Sequence, residues 1–274
     1  MSLPVAIQLY TLRDEMEKDV RGTLEKVKEF GYDGVEFAGL FGYSAADMKK
    51  MLDEIGLKAV SAHVALKELL PDMKNVIATY KEIGCEYIAI PYLPGDRRPE
   101  AGDFDSTIAD IRAIGEECKN QGVILLYHNH DFEFKMLGDK YVLDVLYDSI
   151  PADLLQTEID TCWVNVGGVD PAEYILKYKD RSPVVHLKDF TMKSKGKPSK
   201  LYELIGIQEE ADADEEDFSF RPVGHGVQDM PSILAAAEKA GSKWLVVEQD
   251  RPAKHNTPLE SAKMSRDYLK ALGY

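Results

Sequence analysis

The chain has 274 residues, of which 45% are hydrophobic and 30% charged, a composition typical of a globular protein and a length that suits one α/β barrel. Its formal net charge of −15 argues against a nucleic-acid partner, because a phosphate backbone has to be met by lysine and arginine. It has no apolar run long enough to span a bilayer, no signal-peptide pattern and no CxxC spacing among its three cysteines, so we expect no membrane partner and reduced thiols in the cytoplasm.

Short apolar runs alternate with segments of helical periodicity from one end of the chain to the other. The runs predict strands at residues 4–11, 34–39, 58–64, 86–93, 123–130, 154–160, 183–190 and 244–250. The helical segments are 14–30, 44–56, 71–83, 103–120, 139–149, 171–180, 228–241 and 258–271. Eight such units predict an α/β fold, a (β/α)8 TIM barrel that forms a single domain over residues 1–274. A doubly wound sheet is the alternative, but the count of eight and the lack of a GxGxxG after the first strand favour the barrel.

The regular spacing is interrupted once, by a long loop insertion at about 191–222 after strand 7. The insertion begins with a basic stretch and turns acidic. It leaves the barrel at the end where such folds hold their active sites. A lid over the pocket and a solvated surface loop are both open interpretations.

Four of the six histidines and two acids stand where an apolar run ends. They are His63, His128, His130, His186, Asp160 and Glu248. In a barrel these strand ends form one ring around one pocket. Buried carboxylates are costly unless they are paired or coordinated, and mixed histidine and carboxylate ligands suit Mn²⁺, Co²⁺, Zn²⁺ or Fe²⁺ better than Ca²⁺. The pattern therefore predicts an enzyme with one divalent metal ion.

Longer motifs carry a resemblance to a known family. They are VAIQLYTLRD at strand 1, GYDGVEF at strand 2, HNH at strand 5, EID followed by Trp163 at strand 6, VVHLKD at strand 7, VGHG with Asp229 in the next loop, and VVEQD at strand 8. With these motifs the chain resembles, over essentially its whole length, the xylose-isomerase-like TIM barrel superfamily. The resemblance is to its sugar phosphate isomerase/epimerase branch, which includes inosose dehydratases and lyases of keto sugars.

The resemblance implies one metal ligand from each of strands 5 to 8. Carried over residue by residue, the ligands of strands 6, 7 and 8 are Asp160, His186 and Glu248. Relatives use a glutamate on strand 5, six residues after a Gly-Val start, and here that position holds His128. His128 is therefore the fourth predicted ligand, and Glu133 or Glu158 is the alternative. Mn²⁺ is the predicted ion, with Co²⁺, Zn²⁺, Fe²⁺ or Mg²⁺ as alternatives.

The resemblance also implies chemistry on a keto sugar or polyol through an enediolate intermediate. Glu248 or His130 is the predicted base and Lys188 the predicted donor to the developing oxyanion. Reprotonation would make the protein an isomerase or epimerase, and loss of a β-substituent would make it a dehydratase or lyase. Related epimerases exchange the proton between two glutamates, so His128 departs from that symmetry.

Substrate contacts are predicted for four further residues, each of which has a structural alternative. They are Glu36, His63, Trp163 and His225. Glu36 and His63 end strands 2 and 3, and His225 lies in a flexible GHG segment. Trp163 stands where many relatives carry a histidine that touches substrate.

Three other functions are weighed against a sugar isomerase, epimerase or lyase. A Schiff-base aldolase would use Lys188, which stands instead beside a predicted ligand. An abasic-site endonuclease, as found elsewhere in the superfamily, conflicts with the negative charge. A sugar-binding protein without turnover conflicts with the retained ligands. The predicted partner is a small sugar or polyol substrate, and a homo-oligomer is left open.

Overall fold

Parallel strands close into a barrel in a computed structural model that describes residues 2–192, 218–252 and 255–274. Within the described residues the barrel has eight strands in chain order, and the first pairs with the last. They are β1 Val5–Gln8, β2 Gly34–Phe37, β3 Lys58–His63, β4 Tyr87–Ile90, β5 Ile124–His128, β6 Gln156–Asp160, β7 Val184–Leu187 and β8 Trp244–Val247. The predicted eight-stranded TIM barrel is confirmed.

Helices surround the barrel and connect its strands. They are α1 Val20–Phe30, α2 Ala45–Ile55, α3 Leu66–Ile83, α4 Phe104–Gln121, α5 Val142–Ser149, α6 Pro171–Lys177, α7 Met230–Ala240 and α8 Pro258–Ala271. Two shorter helices, Arg13–Lys18 and Thr161–Val166, lie at the strand ends beside β1 and β6. In the described part of the chain, no helix combines the length and the hydropathy that a membrane crossing needs.

Six of the eight helices α1 to α8 begin where a side chain accepts a hydrogen bond from a free backbone N–H. At α2, for example, the Ser44 hydroxyl accepts from the Asp47 amide, and at α8 Thr257 and Glu260 form a reciprocal capping box. The predicted helix 14–30 is divided into two because a capping residue lies within it. Asp19 is extended, with φ −155° and ψ 95°, and its carboxylate caps α1 by accepting from the Gly22 amide.

Polar residues occupy only one end of the barrel interior. Residues two positions apart on a strand share a face, and four small or aliphatic side chains each lie two residues before a polar one. They are Ala6, Leu126, Val184 and Val246, which precede Gln8, His128, His186 and Glu248. The interior is therefore apolar at the N-terminal end of the strands and polar at the C-terminal end, where the candidate site lies.

A two-stranded antiparallel ribbon follows β7. It pairs Asp189–Met192 with Phe218–Arg221 and packs Phe190, Phe218 and Phe220 around Trp163. The ribbon occupies both ends of the predicted insertion 191–222. The lid interpretation falls on residues 193–217, which lie outside the described residues.

Candidate metal centre

The structure brings the four predicted ligands together at the C-terminal end of the barrel. His128, Asp160, His186 and Glu248 are all buried, and each offers one atom within 4.8 Å of the others. The Nε2 atom of His128 lies 3.4 Å from Asp160 Oδ2 and 3.6 Å from Glu248 Oε2. His186 Nδ1 lies 3.2 Å from the same Glu248 oxygen. Ligand atoms about 2.1 Å from a tetrahedral ion would be about 3.4 Å apart, so the spacing suits a divalent cation.

The surroundings of His128 and Asp160 leave one atom of each directed at the other. His128 Nδ1 lies 3.2 Å from the Pro91 carbonyl, which can only accept, so Nδ1 donates there and, in the neutral ring, Nε2 has a lone pair for a cation. Asp160 Oδ1 accepts from the Trp163 amide at 3.0 Å. His128 Nε2 and Asp160 Oδ2 are buried without a hydrogen-bond partner among the described residues. Two orphaned buried acceptors at this separation fit a bound metal ion.

His186 is held by a carboxylate on its other side. Its Nε2 lies 2.8 Å from Glu36 Oε1, so Nε2–H donates there and Nδ1 faces Glu248. Glu36 also accepts from Gln8 Nε2 at 2.6 Å and from the Ser61 hydroxyl. Such a carboxylate–histidine pair fixes the tautomer of a metal ligand. Glu36, predicted as a substrate contact, is fully buried beneath the pocket and bound to His186.

His63 lies between two buried carboxylates. Its Nε2 atom is 2.7 Å from Glu158 Oε2 and 3.1 Å from Glu36 Oε1. Although burial acts to lower it, Glu36 and Glu158 raise the pKa of His63 to about 10, so the ring is a cation at neutral pH. Glu158 thus belongs to a second group with Glu36, His63 and His186 rather than to the four-ligand group. Glu133, the other alternative ligand, is directed at the Tyr127 hydroxyl and the His130 amide.

The four-ligand group borders a pocket of about 500 Å³. Its charged and imidazole-bearing lining residues are His63, Lys67, Glu68, His128, His130, Lys188, Glu248 and Asp250. The remaining lining residues are Tyr10, Ala38, Gly39, Ala65, Pro91 and Tyr92. A small polyol in this pocket would meet both polar groups and carbon.

Lys188 is fully buried among acids and aromatic rings. Its Nζ atom lies 2.7 Å from Asp250 Oδ2 and 3.0 Å from Glu248 Oε2, and it stands 5.2 Å from the ring centres of Trp163 and Phe220. Burial acts to lower the pKa of Lys188, but these carboxylates hold it well above its usual range. Conversely, although burial acts to raise it, Lys188 keeps the pKa of Glu248 well below its usual range.

His130, unlike Lys188, has a pKa that is lowered rather than raised. It lies beyond the end of β5, its ring is stacked on Phe132 and tilted against Trp163, and its Nδ1 has no hydrogen-bond partner in the described ranges. Burial, followed by the charges of His128 and Lys188, lowers its pKa well below the usual range. His130 is therefore a neutral imidazole at the pocket wall.

Two further predicted substrate contacts, besides Glu36, do not line the pocket. Trp163 is fully buried and forms the wall behind His130 and Lys188. His225 is exposed, and its ring packs beside Tyr268 at 6.4 Å. Asp250 was assigned no separate role from the sequence, although VVEQD places it two residues after Glu248. Burial raises the pKa of Asp250 to about 6 against the opposing effect of Lys188.

Comparison with known proteins agrees with this fold. The sequence profile of the xylose isomerase-like TIM barrel family matches residues 24–272, so the chain belongs to that family. It is 23% identical to the inosose dehydratase of Geobacillus kaustophilus (strain HTA426), over 91% of this chain and 86% of that one. A solved sugar phosphate isomerase/epimerase from Parabacteroides distasonis ATCC 8503 superposes with a TM-score of 0.79 at 24% identity, covering 99% and 94% of the two chains. The IOLI protein, solved with a zinc atom, gives a TM-score of 0.72 at 15% identity over 98% of each chain.

The family match and these relatives confirm two predictions from the sequence. One is the resemblance to the xylose-isomerase-like superfamily, and the other is the assignment to an isomerase, epimerase or lyase class of enzyme.

Proposed function

We propose that the protein is a divalent-metal-dependent lyase that dehydrates a keto sugar or an inosose. The observation that supports this proposal is the convergence of two histidines and two carboxylates at the ends of β5 to β8. Two of their polar atoms are buried without a hydrogen-bond partner among the described residues. The inosose dehydratase among the relatives supports this substrate class. A bound divalent ion would supply Lewis acidity to the carbonyl and hydroxyl oxygens of the substrate.

His130 is the base that the geometry favours. It lines the pocket, and its low pKa leaves it unprotonated and able to take the proton next to a substrate carbonyl. Glu248, the other base predicted from the sequence, is engaged by Lys188 and by two histidines. These contacts occupy the Glu248 carboxylate, whereas His130 Nδ1 has no hydrogen-bond partner in the described ranges.

Lys188 and His63 line the same pocket as cations. Both can stabilise the negative charge that develops on a substrate oxygen as the proton leaves. In dehydration, the proton taken from carbon and the hydroxyl group lost from the β-carbon leave together as water. The residues therefore supply a base and two cationic groups around one small cavity.

Isomerisation or epimerisation, the first expectation from the sequence, is the second candidate. It begins with the same proton removal, and the structural likeness to a sugar phosphate isomerase/epimerase is compatible with it. Symmetric epimerisation needs two carboxylate bases on opposite faces of the substrate. Here the strand 5 position is His128, so the polar wall is asymmetric, which favours elimination.

The proposal is tested by metal analysis together with assays on a panel of inososes and ketoses. Protein purified without chelator is expected to hold about one divalent ion per chain. Solvent deuterium entering next to the carbonyl detects proton removal in either candidate reaction, and ultraviolet absorbance of an unsaturated ketone detects dehydration. Absence of metal, with no gain on adding Mn²⁺, Co²⁺ or Zn²⁺, would exclude the proposal.

Asp160→Asn is the most informative single change. Asparagine can still cap the helix that begins at Thr161, while one charged ligand oxygen is lost. We expect the bound metal to be depleted and turnover to fall more than about 100-fold. Asp170→Asn is the matched control, because Asp170 caps α6 in the same way and lies outside the four-ligand group.

Three expectations from the sequence stay predictions. They are Mn²⁺ as the physiological ion, a cytoplasmic location, and the absence of a nucleic-acid partner. Loading the protein separately with Mn²⁺, Co²⁺, Zn²⁺, Fe²⁺ and Mg²⁺ and comparing turnover addresses the first.

A further inference from the structure

The ammonium of Lys188 lies among three carboxylates, two of which belong to the candidate ligand set. Its Nζ atom donates a hydrogen bond to Glu248 Oε2 at 3.0 Å and lies 3.6 Å from Asp160 Oδ2. The third carboxylate, Asp250, is the nearest at 2.7 Å, and Asp250 is in neither of the four-residue groups able to hold a metal. All four side chains are buried, so water screens these charges little.

An ammonium and a divalent cation compete for the same carboxylate oxygens. While Lys188 is hydrogen-bonded to Glu248, it occupies that ligand oxygen, and it repels an incoming cation strongly at this separation in a buried site. The backbone of Lys188 is fixed, since its amide lies 3.4 Å from Thr161 Oγ1 and its carbonyl accepts from Gln228 Nε2 at 3.3 Å. The position of Nζ therefore depends on which carboxylate holds it.

We propose that Asp250 is a positioning residue that holds the Lys188 ammonium when a divalent cation binds, and so releases the Glu248 and Asp160 carboxylates to that cation. The formal charges of these groups agree with such an arrangement. Two ligand carboxylates match one divalent ion, and Asp250 matches Lys188. The rings of Trp163 and Phe220, each 5.2 Å from Nζ, offer the ammonium a favourable position beside Asp250. The inference rests on the metal site of the proposed function.

The test is the affinity for Mn²⁺, Co²⁺ and Zn²⁺ ions alone, measured by competition with a chelator, so it needs no substrate. In Asp250→Asn the ammonium keeps only the ligand carboxylates, and we expect affinity to fall about tenfold or more. In Lys188→Met the competing cation is gone, and we expect affinity at least equal to that of the wild type. The double variant should return to within about twofold of Lys188→Met, because a positioning role disappears with the residue that is positioned.

The outcomes separate this inference from the proposed function. A wild type that binds no divalent ion overturns both. A wild type that binds an ion with unchanged affinity in Asp250→Asn overturns the positioning role alone. Equal losses from Asp250→Asn with and without Lys188 also overturn it, since they would mean that Asp250 supports the fold rather than the lysine. Asp170→Asn is the control for a lost surface charge, and Lys188→Met remains informative if Asp250→Asn fails to fold.

Discussion

Two fully buried glutamates show how neighbouring residues decide the charge of a carboxylate in this barrel. Burial acts to raise the pKa of Glu36, but His63 and His186 hold it well below its usual range. Glu133 has no histidine ring at its carboxylate, and burial raises its pKa to about 7 against the opposing hydrogen bonds from the Tyr127 hydroxyl and the His130 amide. Glu36 is therefore ionised and able to support a ligand histidine, whereas Glu133 titrates near neutrality.

Glu133 makes the stability of the protein depend on pH. Its folded pKa is raised above the unfolded value near 4.5, so the fold favours the protonated form. Its contribution is fully present below about pH 4.5 and is lost as pH rises through about 7, by at most about 3 kcal/mol. In Glu133→Gln this dependence should vanish. Urea unfolding from pH 4 to pH 8 should show the wild type losing stability relative to the variant, and parallel profiles for the two proteins would contradict the expectation.

At the scale of elements, apolar runs predicted the barrel well because its strands are covered on both faces. Their ends were predicted less well. The run 123–130 continues past β5, which ends at His128, and 183–190 continues past β7, which ends at Leu187. Sequence alone does not mark the point where a chain leaves a barrel, because pocket walls are as buried as strands. His130 and Lys188 lie in these extensions.

The candidate site, too, could be predicted from the sequence only in part. Residue type and strand position marked six histidines and acids at strand ends, and the family resemblance selected the ligand set His128, Asp160, His186 and Glu248 before its geometry was known. The depth of a side chain in the barrel is a property of the tertiary structure. For that reason the sequence could not show that Glu36 supports His186 from below.

Helix α4 packs so closely against the segment between α5 and β6 that Gly115 has no room for a side chain. A Cβ atom at Gly115 would lie well inside van der Waals contact with the Leu154 carbonyl oxygen. Alanine normally stabilises a helix interior by about 1 kcal/mol relative to glycine. Here we expect Gly115→Ala to destabilise the protein by about 2 kcal/mol instead, because backbone has to move. Asn120→Ala, at an exposed site in the same helix, is the control and should change stability little in chemical denaturation.

For the whole molecule, one end of the barrel collects several acidic and basic side chains that are largely removed from water. Asp160, Glu158, Glu248 and Lys188 are buried, and the His63 side chain beside them is 10% exposed. Burying charge is unfavourable unless each group is paired, and His128 Nε2 and Asp160 Oδ2 have no hydrogen-bond partner in the described ranges. A bound cation would complete this arrangement, so metal and fold should stabilise each other.

This coupling predicts that removal of metal lowers the unfolding temperature. At a free ion concentration 100 times the dissociation constant, binding to the folded state alone adds about 2.7 kcal/mol. For a domain of this size that corresponds to about 5–10 °C. We expect chelator-treated protein to unfold at the lower temperature and added Mn²⁺, Co²⁺ or Zn²⁺ to restore the higher one, as measured by calorimetry. Asp160→Asn should show little shift and Asp170→Asn the full shift, because only the first loses a ligand. An equal shift in both variants would place the ion elsewhere than at the strand ends of β5 to β8.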